Sequence, residues 1–137
     1  MKNKKSYEGL QENIKTLKTP KIDVWRNQYA DREYTIHLHI PEFTCICPKT
    51  GLPDFATLQV SYSPTRTCLE LKSFKYYIVF FRNIGIFHEH FVNKILDDIV
   101  NACAPRWAKV EAVVNSRGGI QTTVVAQYHP SSKKGNL

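Results

Sequence analysis

The feature that most constrains this chain is a double switch in its hydrophobic period. In "EYTIHLHI" the apolar Tyr34, Ile36, Leu38 and Ile40 alternate with Thr35, His37 and His39. That is the two-residue period of a half-buried strand, and Pro41 is expected to end it. "FATLQVSYSP" alternates again and stops at Pro64, so residues 34 to 63 read as two strands joined by the turn CPKTGLPD. The period then lengthens. In "ELKSFKYYIVFF" Leu71, Phe74, Ile78 and Phe81 recur at helical spacing, although the aromatic and β-branched content would also suit a strand. Beyond the break "RNIG", "FHEHFVNKILDDIVNACAP" lines up Phe87, Phe91, Ile95 and Ile99 on one stripe, with Pro105 just past its end. The chain closes on two β-rich segments, "WAKVEAVVN" and "GIQTTVVAQY", around "SRGG", a hairpin with Gly118 and Gly119 in the turn. The order strand, strand, helix, helix, strand, strand makes this an α+β chain.

A length of 137 residues suits one domain with a core that needs no disulfide staples. Residues 1–33 read as an N-terminal arm, with an amphipathic turn around Leu10, Ile14 and Leu17; residues 34–130 form the module and 131–137 a basic tail. No apolar run approaches the roughly 18 residues of a membrane span, and no apolar core follows the N-terminal lysines as in a signal peptide. The expected compartment is the cytosol, where Cys45, Cys47, Cys68 and Cys103 are free thiols. The net charge of +7 sits partly in "MKNKK" and "SSKKGNL", and it is compatible with a phosphate-bearing partner, cofactor or nucleic acid.

Three constellations can carry chemistry. Cys45, Cys47, Cys68, His37, His39, His88 and His90 are potential zinc ligands, but structural zinc sites begin with ligands two to four residues apart, as in Cys-x-x-Cys, so no metal is expected. Cys47 opens a break in regular structure before Pro48 and Lys49, the setting of a reactive thiol, and Asp54 can return across the turn as its acid or base. On local sequence alone, a hairpin with a buried thiol and a turn aspartate explains these residues better. The third is "LELKSFKYY" followed by "RNIGIFHEH". If the first part is helical, Lys72 and Lys75 share a face and can hold a phosphate, while Glu70 and Glu89 begin the two helices. Taken alone, two amphipathic helices with solvated charges account for that stretch.

Together, "EFTCICPKTGLPDFATL", "LELKSFKYYIVFFRNIGIFHEHFVN" and "SRGGI" resemble the NADPH-dependent 7-cyano-7-deazaguanine reductases of queuosine biosynthesis, in their short, single-module form. The segment from Glu70 to Tyr77 fits that family's signature of Glu, Ser or Leu, Lys, Ser or Ala, apolar, Lys and aromatic-rich positions. The resemblance implies a tunnelling fold: an antiparallel sheet with two antiparallel helices on one side, joined with neighbouring subunits into a barrel of stacked rings. It implies Cys47 as the nucleophile that forms a thioimide with the nitrile, Asp54 as the proton donor, and His88 at the same chemistry. Leu69, Glu70 and Leu71, with His88 and Glu89, would bind the deazaguanine. Lys72 and Lys75 would serve NADPH, with Arg117 a weaker candidate for its phosphates. Cys45 stands where the family often lacks a cysteine and adds a candidate redox partner for Cys47.

Two other functions fit parts of the sequence. A relative that adds ammonia to the same nitrile would use the same cysteine and aspartate but would not need Lys72 and Lys75. A basic RNA-binding module would suit the charge, but the basic residues are scattered or terminal and no stacking motif is evident. The expected partners are therefore a small deazaguanine nitrile and further copies of this chain, with no membrane and no stable nucleic acid.

Overall fold

The computed structural model describes residues 14 to 130, so Leu10 and the basic stretches at the two ends lie outside the described residues. After a 3-10 turn at Ile14–Thr16, the chain forms β1 (Val24–Arg26), β2 (Ile36–Ile46), β3 (Pro53–Ser63), β4 (Thr67–Leu69), α1 (Leu71–Phe80), α2 (His88–Cys103), β5 (Trp107–Val114) and β6 (Thr123–Tyr128). A second 3-10 turn, Phe81–Asn83, continues α1. β2, β3, β5 and β6 form one antiparallel sheet in that order, and β1 pairs with β4 in a separate two-stranded ribbon. Both helix segments and all four long strands lie where the changes of period place them. Among the described residues no helix is long and apolar enough to cross a membrane.

Pro41 does not end β2. The register jumps from Ile40 opposite Leu58 to Phe43 opposite Ala56, so Pro41 and Glu42 form a bulge and the strand runs on to Ile46. The proline is tolerated because β2 is an edge strand and the ladder is already interrupted there. The extra residue also reverses the strand's parity. Ile36, Leu38 and Ile40 face the helices before the bulge, and Phe43 and Cys45 do so after it, both fully buried.

The core lies between one face of the sheet and the helices. Leu58, Val60, Tyr62, Ala108, Val110 and Ala112 meet Phe91, Val92, Ile95 and Ile99 of α2 and Phe74, Tyr77 and Ile78 of α1. The Phe43 and Phe91 rings are 4.4 Å apart between centroids, and removing a phenylalanine so buried costs on the order of 3 kcal/mol or more. The helices are also joined by polar groups. The Tyr77 hydroxyl of α1 donates to Asp98 Oδ2 of α2 at 2.5 Å, and within α2 Lys94 Nζ holds that carboxylate's Oδ1 at 3.2 Å. On the opposite face of the sheet, His37 Nδ1 lies 2.8 Å from Ser61 Oγ and His39 Nδ1 lies 2.6 Å from Gln59 Oε1, so each histidine pairs across the strands.

The strand β1 falls within the residues read as an arm and was not expected from the sequence. Its three residues are all exposed and carry no alternation. It forms because Val24, Trp25 and Arg26 have ladder partners in Leu69, Cys68 and Thr67, more than 40 residues away.

Candidate active site

The turn between β2 and β3 is held by its own backbone. Cys47 N–H donates to the Leu52 carbonyl and Gly51 N–H to the Cys47 carbonyl, both at 2.8 Å, and Gly51 takes a φ of 74°, in the left-handed region that favours glycine. Ile46 bonds the segment after α1 from both sides, its N–H to Ile84 O and its carbonyl from Ile86 N–H, each at 3.0 Å. Cys47 therefore leaves the end of β2 from a fixed base and stands half-buried, whereas Cys45 is buried.

The two thiols have opposite electrostatics. Partial burial alone would raise Cys47, but hydrogen bonds from the Thr50 hydroxyl and the backbone N–H groups of Thr50 and Lys49 outweigh it and, despite the nearby Asp54 charge, leave the thiol below its ordinary value. Burial pushes Cys45 up to about 12, with the charges of Asp54 and Cys47 adding to the shift. Cys45 is a poor redox partner for that reason, because its thiolate is scarce at neutral pH. Thr50 is a contributor that sequence reasoning missed, although a threonine three residues after a turn cysteine is a readable signal.

Asp54 lies opposite Cys45 in the register and on the helix-facing side of β3, only 4% exposed. A buried carboxylate needs partners, and it has two. His88 Nε2, from the first residue of α2, lies 3.0 Å from Oδ2, and the Arg117 guanidinium, from the Gly118–Gly119 turn, pairs with Oδ1. Cys47, Asp54 and His88, expected at the chemistry, are thus brought together at the N-terminal end of α2, with Glu89 exposed beside His88. Arg117, expected at a phosphate, joins the aspartate.

The other expected residues are elsewhere. Glu70 is the N-cap of α1, its carboxylate accepting from Ser73 N–H at 2.8 Å and Lys72 N–H at 3.0 Å. Those bonds, with Ser73 first, hold Glu70 below the usual carboxylate range. Leu71, Lys72 and Lys75 are exposed around it, and the Lys75 ammonium rests 5.6 Å from the Tyr76 ring centroid. The backbone here is clamped by residues the sequence did not single out. Tyr62 OH accepts from Leu69 N–H at 3.0 Å, Trp25 Nε1–H donates to Leu69 O at 3.2 Å, and Glu70 N–H donates to Asp23 O at 2.8 Å.

This second cluster sits at the far end of both helices. The residues leading into β4 are tied to the C-terminal end of α2 by the Thr65 hydroxyl, which donates to Ala104 O at 2.7 Å, while His88 begins α2. A helix of 16 residues spans about 24 Å, so within one chain Glu70 and Cys47 cannot touch the same bicyclic base. A cavity of about 500 Å³ beside the β2 bulge, lined by Pro41, Glu42, Phe55, Val79, Arg82 and Asn115 among others, contains none of the expected site residues.

Comparison with known proteins identifies the family of the chain. Residues 53–133 match the family described as QueF-like protein. The chain is 54% identical over 112 residues to the NADPH-dependent 7-cyano-7-deazaguanine reductase of Chlorobaculum tepidum, covering 82% of this chain and 96% of that one. It is 52% identical over 111 residues to the protein of the same name from Elusimicrobium minutum, covering 81% and 83%. Among solved structures, the apo form of the archaeosine synthase QueF-Like superposes with a TM-score of 0.64 at 25% identity, over 68% of this chain and 91% of that one. The matched span takes in Asp54, the Glu70 to Lys75 segment, His88 and Arg117, and the chain belongs to the QueF-like protein family.

Proposed function

We propose that this chain is a cytosolic enzyme that reduces the nitrile of 7-cyano-7-deazaguanine to the primary amine of 7-aminomethyl-7-deazaguanine with NADPH, for queuosine modification of tRNA, and that residues 34–130 are its catalytic module. The observation that carries the reading is Cys47, the half-buried thiol held below its ordinary value beside a buried carboxylate with a histidine on it. A thiol in that state is a nucleophile, and a nitrile is an electrophile that needs one before it accepts electrons readily.

In the proposed step the Cys47 thiolate forms a bond to the nitrile carbon, one π pair of the C≡N bond moves to nitrogen, and nitrogen takes a proton from Asp54. His88, 3.0 Å from Asp54 Oδ2, fixes that carboxyl and can resupply its proton. The product is a thioimide on Cys47. NADPH, when bound, supplies the two electron pairs that complete the reduction. Lys72 and Lys75 fit its phosphates, since both ammonium groups are exposed within about one turn at the start of α1. Glu70, ionised and oriented by its cap bonds, keeps lone pairs free for the N–H edge of the deazaguanine, with Leu71, His88 and Glu89 completing the contacts and the buried Leu69 holding the backbone beneath them.

The separation of the two clusters favours a site shared between copies, the Glu70 end of one meeting the Cys47 end of another. β2 and β6 are the outer strands of the sheet, each paired on one side only among the described residues, so a ring of copies can join sheets edge to edge. A second reading, ammonia addition to the same nitrile, uses the same cysteine and aspartate but needs no phosphate-binding lysines, and the exposed Lys72 and Lys75 favour reduction. Intact-mass measurement after mixing with the nitrile should show a covalent adduct that Cys47→Ala abolishes. NADPH oxidation should reach about two equivalents per nitrile, as four-electron chemistry requires. An adduct with no oxidation would reject the reductase.

A further inference from the structure

The geometry points to Arg117 as a positioning residue for the acid, a role distinct from the phosphate contact its place in "SRGG" suggests; the inference rests on the nitrile-reductase reading. Both oxygens of Asp54 are engaged, Oδ1 by the Arg117 guanidinium and Oδ2 by His88 Nε2. The carboxyl is thus aimed from two sides and can turn toward neither partner without losing the other. The Arg117 side chain is 42% exposed while that of Asp54 is 5% exposed, so the guanidinium closes the solvent side of a group the fold otherwise buries. The turn is built to present it. Arg117 N–H donates to Ile120 O at 3.0 Å and Ile120 N–H to Arg117 O at 3.1 Å, across Gly118 and Gly119 at φ 60° and 81°.

This contact joins residues 63 positions apart and brings a cation to the carboxylate whose charge reaches Cys47. The titratable and charged groups around Asp54 are Cys45 and Cys47 from β2 and its turn, His88 from α2, and Arg117 from the β5–β6 turn. A carboxyl aimed by two partners keeps one orientation toward the reacting atoms, and losing either partner lets it swing out of line. Removing Arg117 should therefore slow adduct formation even when no cofactor is present.

The test is the rate of adduct formation on the full chain with the nitrile and no NADPH, followed by intact mass from pH 5 to 10, for the native protein and Arg117→Ala, Arg117→Gln and Arg117→Lys, with circular dichroism to establish that each folds. A residue serving only cofactor phosphates would leave these profiles superimposed, since no cofactor is present. The inference expects the Ala and Gln variants to form adduct about tenfold or more slowly across the range, because the carboxyl is no longer held in line. Arg117→Lys should return toward the native profile, because it keeps the charge and loses only the fixed fork. Superimposed profiles overturn the inference while the adduct itself upholds the function. No adduct with the native protein at any pH overturns both.

Discussion

The two ends of the helical layer are built differently. At the start of α2, Asp54 is buried and held on both oxygens, and Cys47 stands in a turn whose donors stabilise its thiolate. At the start of α1, Glu70, Leu71, Lys72 and Lys75 are presented outward from a clamped backbone, with none of them in the core. One end is closed upon itself, and the proposed reaction takes place there; the other is open, and the proposed contacts to substrate and cofactor lie there. On the proposed reading, a single chain carries the groups for the chemistry in one place and those for recognition only as an outward half. The fold explains why, since the sheet and helices run the full distance between them.

The comparison breaks most sharply by complementation. Cys47→Ala and Glu70→Ala should each be inactive alone, the first without a nucleophile and the second without the carboxylate that reads the base. Mixed after dissociation and reassembled, they should regain activity, because a site drawing Cys47 from one copy and Glu70 from another finds both native in about one case in four. Recovery near that level in steady-state turnover supports a shared site, and no recovery from a demonstrably mixed assembly would place both residues in one copy's site.

A smaller effect separates binding from chemistry. Replacing Lys72 and Lys75 together by alanine should raise KM for NADPH by about tenfold or more, as two charge-assisted contacts are lost. The rate of adduct formation without cofactor should stay close to native, because both lysines are a helix length from Cys47. A matching fall in adduct formation would mean that the open end also shapes the thiol's surroundings.

The two ends were also unequally legible in the sequence. β2, β3, β5, β6 and both helices follow from hydrophobic period, a local property that burial on one face imposes directly. β1 did not follow, since three exposed residues have no period and owe their conformation to partners at Thr67–Leu69. The Pro41 bulge misled for a related reason: proline signals a broken ladder, but only the neighbouring strand decides whether the strand ends or steps by one residue. Cys47 and Asp54 stood out in the sequence as candidates, whereas the pairing of Asp54 with Arg117 depends on a turn that only the folded sheet brings within reach. Period reports what is buried, and long-range polar pairing leaves no such trace.

The smallest predicted effect tests the closed end where it is most local. Thr50 does most to lower Cys47, through its hydroxyl and again through its N–H. Thr50→Val keeps the shape and the backbone donor and removes the hydroxyl, so the thiol should move upward and the thiolate fraction at neutral pH should fall. Alkylation by iodoacetamide at pH 7 should slow several-fold, while at pH 10, where the thiol is ionised in both proteins, the rates should converge. Cys47 dominates the measurement because Cys45, Cys68 and Cys103 are buried, with Cys45 and Cys103 pushed up to about 12. Equal rates at pH 7 would show that the backbone donors of the turn suffice and that the reactivity of Cys47 belongs to the CPKTG conformation itself.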